Sequence, residues 1–276
     1  MILVNLTPVQ NLAARKAAEI LAGKLKTTVS VQHVRIDLLN HVLVQGLYIE
    51  DKEGDTLLYA GEARVRITDW FILRKDKPVL RYIGLHNTYA HLYRTAKSDK
   101  WNYQFIIDAF DTGVRDTTKK QNEFELDLEK VDLQNVRFHM DDSWVGSDFD
   151  IDLGSLQLDA DEIDLKKRVI DVNSLRIDQV FISMRDYASS SLREVKKRVK
   201  VLDTTAFNKG HWQVNAKEVV INNSAYQLNS AERAAYVNEF DPSHIGVTGI
   251  NFDVKDISIK GDTIKGNIVN LSANER

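Results

Sequence analysis

Seven histidines, at positions 33, 41, 86, 91, 139, 211 and 244, are the side chains best suited to hold a transition metal or move a proton near neutral pH. They are spread along the chain. No pair has the ligand spacing of a metal helix, and His86 and His91 lie five residues apart on a stretch that reads as a strand. That spacing points them to opposite faces unless a bulge intervenes, so the sequence predicts no metal site. Asp148-x-Asp150-x-Asp152 has the opening of a calcium loop. Leu153 stands before Gly154 where the loop glycine belongs, however, and the closing glutamate is missing. Phe149, Ile151 and Leu153 alternate with these acids, which is the pattern of a half-buried strand. Asp141 and Asp142, beside Trp144, form a possible carboxylate pair that a turn between strands explains as well. There is no cysteine, no phosphate-cradling glycine loop and no nucleophile elbow. The residues predict neither catalytic group nor cofactor, and no enzyme.

What must position these side chains follows from composition and pattern. The chain has 276 residues, 43% hydrophobic and 28% charged, which suits a folded protein of one large unit or two small ones. Its 37 basic and 40 acidic residues are well mixed and leave a net charge of −3, so no concentrated basic face for nucleic acid is expected. Three prolines (Pro8, Pro78, Pro242) leave most of the chain free to form ladders. No stretch reaches the ~20 apolar residues needed to cross a bilayer as a helix. Met1-Ile2-Leu3-Val4 is apolar, and too short for a signal peptide. It reads as the cut end of a membrane helix.

A pattern of four apolar positions at offsets 0, 2, 5 and 7 recurs along the chain. It fits Val42, Val44, Leu47, Ile49; Ile83, Leu85, Thr88, Ala90; and Val131, Leu133, Val136, Phe138. It fits again at Leu175, Ile177, Val180, Ile182; Val219, Ile221, Ser224, Tyr226; and Phe252, Val254, Ile257, Ile259. Of these 24 positions 22 are apolar, against roughly 10 expected from composition, and the copies start 41, 48, 44, 44 and 33 residues apart. Steps of two keep side chains on one face of a strand, and the central step of three shifts the phase by one residue. Gly46, Asn87, Asn135, Gln179, Asn223 and Asp256 fall in that step. Glycine, Asn and Asp tolerate unusual backbone angles, so each copy reads as strand, bulge or turn, strand. Further alternating runs lie between copies: Phe124-Leu126-Leu128, Phe149-Ile151-Leu153 with Leu156-Leu158, and Trp212-Val214-Ala216. One face is oil and the other water. A second sheet could cover the oil face, or a curved sheet could leave it as a trough, and periodicity leaves both open.

Helices are few. Thr7-Pro8-Val9-Gln10 is a capped start, and Val9, Leu12, Ala13, Ala17, Ile20, Leu21 and Leu25 share a face, predicting an amphipathic helix over about residues 8–25. It would pack Leu12, Ile20 and Leu21 on the first strands. It reads either as an end cap or as the membrane-proximal end of an anchor. Trp101, Phe105, Ala109 and Phe110 predict a short helix over 101–110, and Asp111 to Gln121 a polar loop. Ser191-Leu192-Arg193-Glu194 opens a basic run to Lys200, which reads as a solvated face or as a surface for anionic lipid. Two segments follow: a helical one over 1–28 and a strand-built one over 29–276.

Gly54-Asp55-Thr56-Leu57-Leu58-Tyr59-Ala60 and Trp101-Asn102-Tyr103-Gln104-Phe105-Ile106-Ile107-Asp108-Ala109-Phe110, with the Thr7-to-Thr28, Ser30-to-Asp37 and Val131-to-Phe138 stretches in order, resemble the N-terminal region of AsmA/TamB-like proteins of the Bacteroidetes type. The resemblance runs to about Tyr187 and is looser beyond; set against that family's anchor and much greater length, the sequence reads as a fragment of a longer protein. It implies an elongated, strongly twisted, mainly β sheet curved into an apolar groove. It also implies a periplasmic place, anchored to the inner membrane, and a passive role in conducting phospholipid toward the outer membrane. On that reading the groove lining comprises Val42, Val44, Ile83, Leu85, Val131, Leu133, Phe138, Leu175, Ile177, Ile182, Val219, Ile221, Phe252 and Val254. The partners would be phospholipid acyl chains, the inner membrane and possible outer-membrane assembly proteins. The alternative is an assembly module for outer-membrane proteins that binds partners along an exposed strand edge.

Overall fold

The computed structural model describes residues 7–36, 41–67, 79–110, 125–165, 167–189, 207–236 and 239–275. Among them are two helices, α1 (Thr7–Leu25) and α2 (Gln104–Phe110). The eleven strands are β1 (Val29–Ser30), β2 (His33–Ile36), β3 (His41–Glu50), β4 (Thr56–Ile67), β5 (Val79–Arg94) and β6 (Glu125–Asp142), then β7 (Ser147–Asp164), β8 (Val169–Asp186), β9 (Gln213–Ser230), β10 (His244–Lys260) and β11 (Thr263–Glu275). They form one mixed sheet that follows chain order from β3 to β11, with β1 and β2 both paired to β3. The sheet is not closed. Neighbours are antiparallel except β5–β6 and β8–β9, which are parallel and joined by the longer connections that parallel pairing requires.

The apolar pattern becomes a set of rows. Val42, Val65, Ile83, Val131, Leu158, Leu175, Val219 and Val254 stand side by side from β3 to β10. The next row is Val44, Ala63, Leu85, Leu133, Leu156, Ile177, Ile221 and Phe252. Two more follow on the same face, from Leu47 and Ala60 to Ile250, and from Ile49 and Leu58 to Val247. Five copies of the pattern therefore occupy equivalent places. The sixth does not. Strand β10 runs antiparallel to β9, so Val254 and Phe252 join the first two rows while Ile257 and Ile259 continue past them, opposite Ala216 and Val214.

Between the second and third rows runs a line of kinks. Gly46, Asn87, Asn135, Gln179 and Asn223 all have left-handed backbones, with φ of 61°, 50°, 53°, 57° and 46°. Asp256, the matching residue of the sixth copy, has φ 54°. The conformation is the one expected at these residues. The bulge is absent from this line between β3 and β9, where neighbouring strands skip a residue together, so Gln45 pairs with Glu62 and Leu47 with Ala60 and the register holds on both sides. It appears beyond, where the register shifts between β9 and β10 beside Asn223 and between β10 and β11 beside Asp256. Gly61 and Gly154 supply the line in the antiparallel strands β4 and β7. A Cβ at Gly154 would lie 2.9 Å from the Asp178 carbonyl oxygen and 3.0 Å from the Gln179 Cβ. Only glycine leaves room for the left-handed neighbour.

Helix α1 covers one end of the sheet, but with a face turned from the expected one. Ala18 and Leu25 bury against Val29, with Leu21, Ala22, Ile49, Phe105 and Ile106 around them. Leu21 packs as expected, whereas Leu12 and Ile20 are exposed. Small alanines at 14 and 18 let the helix axis approach closely, which larger residues would prevent. Helix α2 starts at Gln104, because Trp101 to Tyr103 form the turn before it: Trp101 lies under the Arg94 guanidinium and stacks on Tyr103. The basic run beginning at Ser191 and the polar loop over 111–121 lie outside the described residues.

Candidate functional site

All fourteen stripe residues singled out from the sequence fall on the one apolar face, in the rows that begin at Val42, Val44 and Ile49. Thirteen are half-buried and only Val254 is buried, whereas a fully covered core would bury most of them. A fifth row extends the face: Leu92, Met140, Phe149, Met184, Leu228 and Ile245. No charged side chain interrupts these rows. Past the fifth row, at the rim, Arg94 donates to both carboxylate oxygens of Asp142 at 2.6 and 2.5 Å.

The two exceptions to the apolar pattern, Thr88 and Ser224, are buried beside the kinks. Ser224 has a definite task. The ladder between β8 and β9 is interrupted after Asp178–Asn222, and the Ser224 hydroxyl accepts from the Val180 N–H at 3.3 Å while donating to the Asn222 carbonyl at 2.9 Å. It replaces a backbone partner that the kink removes. Thr88 Oγ1 is buried without a hydrogen-bond partner.

The opposite face is ionic. Arg66 pairs with Glu129, Lys130 with Asp159, Arg176 with Glu218 and Arg137 with Asp152. His86 stands 3.5 Å from both Glu62 and Asp132. His91 faces the same way, because the kink at Asn87 restores the phase that a straight strand would have lost. In the parallel ladder His91 pairs directly with His139, their rings 4.8 Å apart. Asp141 Oδ2 lies 2.9 Å from His91 Nε2 and 3.2 Å from His139 Nε2, and Asp150 bonds His139 Nδ1. Burial opposes a charge on His139, but the Asp150 hydrogen bond and the Asp141 and Asp150 charges outweigh it and raise its pKa. Sequence reading along the chain missed this cluster. The signal was present across copies: each histidine stands eight residues after the start of its copy, at Ile83 and Val131.

The calcium-like triple sits on β7 and each acid has a separate partner. The Tyr187 hydroxyl donates to Asp148 at 2.8 Å, while His139 takes Asp150 and Arg137 takes Asp152. Asp141 and Asp142 point to opposite faces and hold different groups; Asp142 also accepts the Val145 N–H at 3.1 Å in the turn. They do not form a carboxylate pair.

The chain matches no family model and no curated protein. No described helix is long and apolar enough to cross a membrane.

Proposed function

We propose that the apolar face is the wall of a curved groove that holds lipid acyl chains, and that the chain is a segment of an envelope lipid conduit of the AsmA/TamB type. The observation that carries this reading is the apolar surface itself: four rows across eight strands and a fifth across six, free of charge throughout and left half-exposed. Soluble proteins rarely expose contiguous apolar patches beyond a few hundred Å² without a ligand or partner to cover them. Support for a concave wall comes from Ala160, Val172 and Ala216, which are buried by side chains of their own sheet, among them Leu158, Ile170, Val219 and Ile257. Neighbours on a concave face lean together in this way. The kink line, crossing successive strands at one level, is where such a sheet can bend.

The mechanism is passive shielding. Burying a methylene is worth about 0.8 kcal/mol, so a long tail is held firmly by a face of this width. The rows repeat with similar chemistry from strand to strand, so a tail can move along them without a large barrier. The headgroup stays at the wet rim. The segment would act in the periplasm, tied to the inner membrane by a span upstream of the helical segment.

A second reading has its own observation. Strand β11 forms one edge of the sheet and is exposed along its length, with Ile264, Ile268 and Leu271 uncovered. An open apolar edge is a template for strand addition, which suits an assembly module for outer-membrane proteins. Native mass spectrometry of the purified protein separates the two. Phospholipid adducts that survive gentle desolvation support the groove; an adduct-free protein that instead binds unfolded β-rich polypeptide supports the module.

A further inference from the structure

We propose that the ionic face carries a site for one divalent transition-metal ion, Zn²⁺ first, with His91, His139 and Asp141 as its three protein ligands and Asp150 orienting His139. The fold makes this site. Strands β5 and β6 are parallel, so equivalent residues of two copies stand side by side, and His91 meets His139 across the ladder. Asp141 lies two residues beyond His139 on the same face, and its Oδ2 sits between the two Nε2 atoms at 2.9 and 3.2 Å. The three ligand atoms all fall within 4.8 Å of one another. Ligand atoms around a tetrahedral zinc, at bonds of about 2.0–2.2 Å, stand about 3.4 Å apart, so only small side-chain shifts separate this arrangement from a coordination shell.

The outer partner is also in place. A metal-bound histidine ordinarily gives its other ring N–H to a carboxylate, which fixes the tautomer and aims the free lone pair at the ion. Asp150, from β7, bonds Nδ1 of His139 and leaves Nε2 facing Asp141. The ligands are partly exposed, so an ion can enter and water can fill the fourth position. Two imidazoles with one carboxylate favour Zn²⁺ and its neighbours over Mg²⁺ or Ca²⁺, which prefer all-oxygen shells. The competing account is a hydrogen-bonded network of two histidines and two acids that binds no metal.

Equilibrium dialysis of the chelator-stripped full chain against ZnCl₂ decides between them, with melting recorded in parallel. The site predicts one saturable Zn²⁺ per chain and a melting temperature that rises with free zinc. It further predicts that His91→Asn/His139→Gln abolishes both effects, and that Asp150→Asn, which leaves all three ligands, weakens binding about 10- to 100-fold. Cooperative melting of each variant without metal guards against loss of fold, and Asp150→Asn keeps the test open if the double variant unfolds. Wild-type protein that binds no saturable zinc overturns the site. So does a stoichiometry that survives the double substitution, because the ion would then sit on other histidines.

Discussion

The two faces of the sheet are built by the same strands, one residue out of step, and they hold their neighbours in different ways. On the ionic face, side chains are matched pairwise: Arg137 meets Asp152 and Lys130 meets Asp159 across adjacent strands. Such pairing is specific in register but weak, because both partners stand in water. On the apolar face no partner is specified; Ile177 is as well placed beside Leu156 as beside Ile221. A surface indifferent to its contacts is what a sliding acyl chain needs, and the ionic face supplies the register that the oily one leaves loose. The kink line and the rim are the exceptions, where single residues are fixed by geometry.

The sharpest break is expected at the rim. Asp142 is buried and bonded to Arg94 through both oxygens, so Asp142→Ala strands a guanidinium that is itself largely buried. Removing one partner of such a pair costs about 3–5 kcal/mol, and chemical denaturation should show a loss of that order. The kink line comes next. Gly154→Ala forces a methyl within 2.9 Å of a backbone oxygen that no rotamer can move, for an expected loss of about 1–3 kcal/mol by the same measurement.

A pH-dependent effect is expected at the β3–β4 turn. Asp51 is buried, which favours its neutral form, but Asn102 and the N–H groups of Asp55 and Glu53 donate to it and hold its pKa below the ordinary 3.8. A depressed carboxyl contributes stability above pH 3.8 that is lost as pH falls through the folded value. Asp51→Asn should therefore lower the melting temperature near neutral pH and flatten the acid limb of its pH profile. The smallest effect is expected on the ionic face. Arg137→Ala should change stability by no more than about 0.5 kcal/mol, because both members of that pair are well exposed.

Much of this was legible in the residues. The offsets 0, 2, 5 and 7 locate the apolar face, and the residue four places into each copy adopts a left-handed backbone, as expected of the Asn, Asp and Gly found there in every copy but the fourth, which has Gln179. Strand direction was not legible, for a simple reason: the offsets read the same backwards. Leu58, Ala60, Ala63, Val65 on β4 and Ile151, Leu153, Leu156, Leu158 on β7 carry the same pattern while running opposite to their neighbours. The sixth copy was misplaced for a different reason: on β10 the four rows fall at Val247, Ile250, Phe252 and Val254, where shifts of register against β9 break the regular offsets. The packed face of α1 was read only in part: Leu21 and Leu25 pack as expected, but Leu12 and Ile20 are exposed, and close approach selects Ala14 and Ala18 in their place. The histidine pair escaped notice because its members are 48 residues apart and meet only through a parallel pairing.

The central claim is that the apolar face holds lipid, and adjacent positions on one strand test it most directly. Ile177 and Asp178 are neighbours in β8 that point to opposite faces. A photo-crosslinking residue placed at each in turn, in cells making the protein in its native setting, samples the two faces at the same depth in the fold. The groove predicts phospholipid captured from position 177 and none from 178, and it predicts that Ile177→Glu still melts cooperatively while losing copurified lipid. A protein that captures no lipid from either position, and that unfolds with glutamate at 177, would have a closed core there and would contradict the account.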